Sequence, residues 1–239
     1  MRMKTKMILF TMLFCPILLL GQIWDYPIKP GSEEWKKLMS NKEMVESCQI
    51  PEKVLSNLST EDLTELCLSY PLLYDLFAFE NFTEGFNKLF SDFNGIKELY
   101  SRNDISNSLI NKYNKKIRSF SFLHEKNTDI EKGEFIISVN VIEILLGQCY
   151  LKNKMTGNMS KTILINLVDG YEEKLKVAEY FKGSGFRTNV YSRTHAISKM
   201  VKQNLEKLPQ KDNNSAFFSG KTDEESIRMI DEMSYQLIK

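Results

Sequence analysis

The best polar grouping in this 239-residue chain is Arg193 and His195, flanked by Ser192 and Thr194. At the start of a helix, these residues set a cation and a titratable imidazole where unpaired backbone N–H groups already favour an anion. That arrangement suits a hydrolase-type site between helices. The simpler reading of the same residues is a capped helix with an exposed arginine and a half-buried histidine.

Other reactive patterns are missing from the sequence. His124 and His195 are the two imidazoles, and neither lies in an HExxH pattern or beside a Cys-x-x-Cys pair, so no metal site is assigned. Cys149 is a thiol with no base directed toward it. A calcium loop opening at Asp212 would set Phe217 where glycine is required. Gly183-Ser184-Gly185 follows a helix, the wrong side for cradling phosphate, and no nucleophile elbow, Walker loop or dinucleotide fingerprint occurs, so no cofactor is expected. Carboxylates cluster at Glu61, Asp62 and Glu65 and at Glu172 and Glu173, mostly on expected solvent faces, and their spacing shows no cleft. The catalytic residues are therefore unknown.

The elements that would position any site are helical. Leu63, Leu66, Cys67, Tyr70, Leu73, Tyr74 and Phe77 recur at spacings of three and four, which aligns them on one side of a helix. Ser59 with Asp62 is a capping-box-like start. Pro71 lacks an N–H donor and biases Tyr70 away from helical geometry, so the stripe divides there, with Pro71 in the first turn of a second segment. Asn81 is the next expected cap, followed by a face of Phe82, Phe86, Leu89, Phe90 and Phe93. Burying each of these rings stabilises by about 1.5–3 kcal/mol, enough to anchor a core.

The same punctuation extends along the chain. Pro30-Gly31 closes an extended arm, Ser32 and Ser40 open short helices whose inner face includes Trp35, Leu38 and Met39, and Ile50-Pro51 opens another. Asn94-Gly95 is expected as a turn between helices. Asp104 caps a longer helix with Ile105, Leu109, Tyr113, Ile117 and Phe120 on one side, and Lys112, Lys115, Lys116 and Arg118 toward solvent. Residues 134–148 fit both a strand and a helix, and their length favours a buried helix. A helix from Ser160 to Lys182 turns Leu164, Leu167, Val168, Tyr171, Leu175 and Ala178 inward. An extended link over Phe186–Tyr191, a helix from Ser192 or Thr194 to Pro209, a polar loop and a last helix capped by Thr222 and Glu225 complete the chain. The expected fold is all-α, a multi-helix bundle or a short irregular α-solenoid of antiparallel helix pairs, with no firm repeat period visible.

Residues 1–21 have the layout of a cleaved secretory signal: Arg2, Lys4 and Lys6, then an uncharged apolar run, then Gly21. Residues 22–31 form the arm and 32–239 a single helical domain. Losing those three cations turns a net charge of +1 into −2, with no basic excess to hold nucleic acid. After cleavage no membrane span is expected. Cys48, Cys67 and Cys149 then remain; their apolar helical settings mark them as buried free thiols, with a Cys48–Cys67 bond as the alternative.

The mature chain resembles a group of uncharacterised exported proteins of Bacteroidetes bacteria in Tyr26-Pro27-Ile28-Lys29-Pro30-Gly31 with Glu34-Trp35, in Tyr70-Pro71-Leu72, in Phe93-Asn94-Gly95-Ile96, and in Ser234-Tyr235-Gln236-Leu237-Ile238. The resemblance implies export to the periplasm or beyond, and brings no activity or cofactor. The expected function is an exported interaction or scaffold protein that holds another envelope or secreted protein in a groove between helices. The alternatives are an enzyme with its site near Arg193 and His195, and an envelope protein held by an uncut N-terminal segment.

Overall fold

The computed structural model describes residues 24–79, 82–119, 128–151, 154–155 and 157–176, together with Ile197 and Glu232. The signal-like run, Asn81, Phe120, the Phe186–Tyr191 link and the helices expected after Ser192 and Thr222 lie outside the described residues, apart from those two isolated positions. Every regular element among the described residues is helical. In chain order these are α1 (Glu33–Lys36), α2 (Asn41–Ser47), α3 (Glu52–Leu55), α4 (Thr60–Leu68), a 3-10 turn (Leu73–Ala78), α5 (Phe82–Asp92), α6 (Asn94–Ser101), α7 (Ile105–Arg118), α8 (Asp129–Leu151) and α9 (Gly157–Lys176). Residues 134–148 are thus helix, inside a longer element than their periodicity marked.

Helix starts show the sequence acting most directly. The Ser32, Ser40 and Ser59 hydroxyls each accept the backbone N–H three residues on, at 3.1, 3.2 and 3.1 Å. Glu43 closes the Ser40 box by accepting the Met39 N–H at 2.7 Å. Thr128 and Glu131 form a reciprocal box that starts α8 earlier than its apolar pattern suggests. In the arm, the Lys29 carbonyl accepts the Ser32 N–H at 3.1 Å and Gly31 has φ +90°. Pro30 and Gly31 therefore occupy the two central positions of a type II turn, the second of which demands a positive φ.

Taking α2–α4 as one set and α5–α7 as the next, α4 packs on α6 and α7, α5 on the 3-10 turn, α6 and α8, and α7 on both α8 and α9, which also pack together. Side-chain hydrogen bonds between the first two sets join residues 43 to 48 positions apart, among them Gln49 to Asp92, Asn94 to Ile50 and Thr60 to Asp104, whereas Tyr113 on α7 reaches Glu143 on α8 across 30. The first joint therefore has a single register, which the contacts to α8 repeat only in part.

The joint between the first two sets is polar and tightly specified. Ile50 is buried in a non-helical link, so its N–H and C=O need partners from elsewhere. The Asn94 amide supplies both, its Oδ1 accepting the Ile50 N–H at 3.0 Å and its Nδ2 donating to the Ile50 carbonyl at 2.7 Å. Gln49 reciprocates by accepting the Asn94 N–H at 3.1 Å and donating to the Asp92 carbonyl at 3.0 Å. Around this clamp lies the aromatic core: Tyr70 stacks on Phe93 at 3.9 Å between centroids, and buried Tyr26 donates its hydroxyl to the Leu66 carbonyl at 2.9 Å.

Several expectations are corrected. Asn94 and Gly95 are the first residues of α6, not a turn, with Phe93 as the N-cap. Pro71 precedes the 3-10 turn rather than lying in its first turn. Asp104 makes no side-chain cap bond, because its carboxylate accepts the Thr60 hydroxyl at 2.7 Å instead. Met39 and Tyr74, expected inside, are 86% and 49% exposed. Lys112 and Lys116 are not simply solvated. Lys112 pairs with Glu65 on α4, and the Lys116 ammonium sits 5.1 Å from the centre of the Phe135 ring on α8. Desolvation lowers the pKa of both lysines.

Replacing the clamp tests its weight. Asn94→Ala strands two buried backbone groups of Ile50, and leaving each unsatisfied costs about 1–3 kcal/mol. A loss of roughly 2–4 kcal/mol is expected in urea unfolding, against less than about 0.5 kcal/mol for the exposed control Asn87→Ala.

Candidate functional site

Two places in the fold gather chemistry-bearing side chains, and they differ in access to solvent. The first is a groove of about 270 Å³ between α2, the 3-10 turn and α5. Its floor is apolar, set by buried Tyr70, Leu76 and Leu89 together with Leu72 and Val45. Its rim carries Asp75, Lys88 and Asp92, and Phe79 stands at one end, 36% exposed. The sequence accounts for its walls. Gly85 lets α5 approach the backbone of the 3-10 turn at Leu76, a place where any Cβ would meet the Leu76 carbonyl. Gln49 holds the opposite wall by bonding both the Val45 carbonyl, at 2.6 Å, and the Asp92 carbonyl.

Charge on the rim is unevenly distributed. Lys88 pairs with Asp92 at 2.7 Å, and the Ser91 hydroxyl donates to the same carboxylate at 2.9 Å. Burial pushes the Asp92 carboxyl up, but the Lys88 and Ser91 hydrogen bonds outweigh it and hold the group below the usual range. A second depression, lined by Glu52, Leu55, Ser56, Asn94, Lys97 and Glu98, is larger at about 440 Å³, and its lining residues are polar or charged except Leu55.

The second place is closed. Glu143 and Lys174 are fully buried and form an ion pair between α8 and α9, and the Tyr113 hydroxyl on α7 donates to the same Glu143 oxygen at 3.0 Å. Three helices thus meet on one carboxylate. Gly170 makes the geometry feasible, since a Cβ there would strike the Tyr113 ring and hydroxyl. Asn140, one turn before Glu143, is also fully buried, and its amide has no hydrogen-bond partner. With no exposed atom on Glu143 or Lys174, this cluster joins helices rather than meeting substrate.

The thiols are equally withdrawn. Cys48, Cys67 and Cys149 are free and buried, as their apolar settings suggested, and no disulfide joins them. Burial pushes the Cys149 thiol up to about 12, so its nucleophilic thiolate is scarce at neutral pH. Cys67 is raised for the same reason.

Arg193, His195 and His124 lie outside the described residues. Of the carboxylate clusters, Glu65 is engaged by Lys112, and Asp62 accepts the Ser59 hydroxyl at 2.7 Å. Among the described residues no three His, Cys, Asp or Glu side chains gather as metal ligands would. Sequence reasoning did not single out Glu143, Lys174 or the groove. Two signals pointed to the first pair: a lone carboxylate inside the apolar run from Val141 to Leu146, and a glycine in mid-helix at Gly170. Comparison with protein-family models, curated proteins and solved structures finds no match to the chain.

The buried pair should behave as a structural joint. Lys174→Met removes the buried ammonium from Glu143 while keeping the buried carboxylate and should cost about 3–5 kcal/mol. The triple variant Tyr113→Phe, Glu143→Leu, Lys174→Met removes the charges together and should lie within about 1–2 kcal/mol of the parent, both read from urea unfolding. In thiol titration with Ellman's reagent, Cys48, Cys67 and Cys149 should stay silent in the native protein and react once guanidinium unfolds it.

Proposed function

We propose that the chain works outside the cytoplasm as a helical interaction module, which receives a partner protein in the groove between α2, the 3-10 turn and α5. The observation that carries this reading is the groove itself: a partly open hollow with an apolar floor, a charged rim and one wall held by the Gln49 hydrogen bonds. The layout of residues 1–21 supports export. Among the described residues the thiols are buried and the Glu143–Lys174–Tyr113 cluster is sealed.

Photocrosslinking in the producing cell tests the reading. With p-benzoylphenylalanine in place of Phe79, a discrete adduct should form and should disappear when Ala78→Trp fills the groove. The same probe at Lys97, in the polar depression, should give no such adduct. No adduct from Phe79, or the same adduct from both positions, would overturn the proposal.

A further inference from the structure

Taking the groove as a docking surface, its charges restrict what docks there. We infer that its occupant is a protein segment in which an apolar side chain is followed by lysine or arginine. Volume argues first. About 270 Å³ lies below the roughly 300–1,000 Å³ typical of drug-sized ligands, so the groove suits one large side chain with its neighbours lying across the rim.

Charge then selects the neighbour. Lys88 is committed to Asp92 at 2.7 Å, which leaves the rim with the carboxylate of Asp75, a side chain in no ion pair among the described residues. Next to it, Tyr74 is 49% exposed and close enough to Glu134 on α8 for that charge to act on its hydroxyl. Ile130, one turn before Glu134, is 75% exposed. A cationic residue beside an apolar anchor meets attraction from Asp75, and an acidic one meets repulsion.

Titration of the ¹⁵N-labelled full chain with three hexapeptides tests the assignment: Gly-Ser-Phe-Lys-Ser-Gly, its Phe-Glu counterpart and its Ala-Lys counterpart. The Phe-Lys peptide should shift the Val45, Leu76 and Leu89 amides saturably. It should bind about fivefold tighter than Phe-Glu at low salt, an advantage that shrinks as salt screens the rim. Ala-Lys should leave these amides unmoved, and Asp75→Lys, whose spectrum also reports its folding, should reverse the preference. Equal binding of Phe-Lys and Phe-Glu, or no saturable shift with any peptide, would overturn the assignment. An adduct from Phe79 alongside equal peptide affinities would refute the cationic occupant while leaving the docking reading intact.

Discussion

Everything between the first two helical sets depends on two side-chain amides that satisfy a buried stretch of backbone. Ile50 leads into Pro51, and Pro51 biases it away from helix, so its N–H and C=O cannot be absorbed by α2 or α3. Asn94 provides a donor and an acceptor on one rigid plane, and Gln49 returns the bonds. A slip of one residue along the stack would leave four polar groups without partners. The clamp also bonds the Asp92 carbonyl at the end of α5 and the Val45 carbonyl of α2, which are two walls of the groove. Interface register and a preformed binding surface thus have one physical origin.

The far end of the fold relies on a different device. α8 is buried on every side from Val139 to Cys149, with α7, α9 and α5 packed on it. A helix apolar all round has little to fix its rotation about its own axis. Glu143 supplies that, because its carboxylate must face both Lys174 and Tyr113. Sealing a charged pair in the core contributes little net stability, as desolvation offsets most of the attraction. Its effect is on which arrangement forms: any other rotation of α8 would leave a bare carboxylate inside.

Legibility from the sequence followed the range of the interactions. Features set by neighbours in the chain were readable: the Ser32, Ser40 and Ser59 caps, the Pro30-Gly31 turn, the break at Pro71, the all-helical class and the buried faces of Phe86 and Phe93. Features set by a partner about 44 residues away were not. Asn94-Gly95 looks locally like a turn, yet Asn94 opens a helix because its side chain answers Ile50. Asp104 looks like a cap, yet its carboxylate is claimed by Thr60. Lys112 and Lys116 look solvated because their partners Glu65 and Phe135 lie on other helices. The groove is built from three elements and has no signature in any one of them.

Native-state hydrogen exchange at the Ile50 amide tests the central claim most directly, because among the described residues this N–H is held by the Asn94 side chain and by no helix of its own. If the clamp sets the register, the amide should exchange near the slow limit set by global unfolding, together with the core amides of α4 and α7. Exchange as fast as that of exposed Ser56 would mean that the joint opens freely, and the groove could not then be a preformed surface.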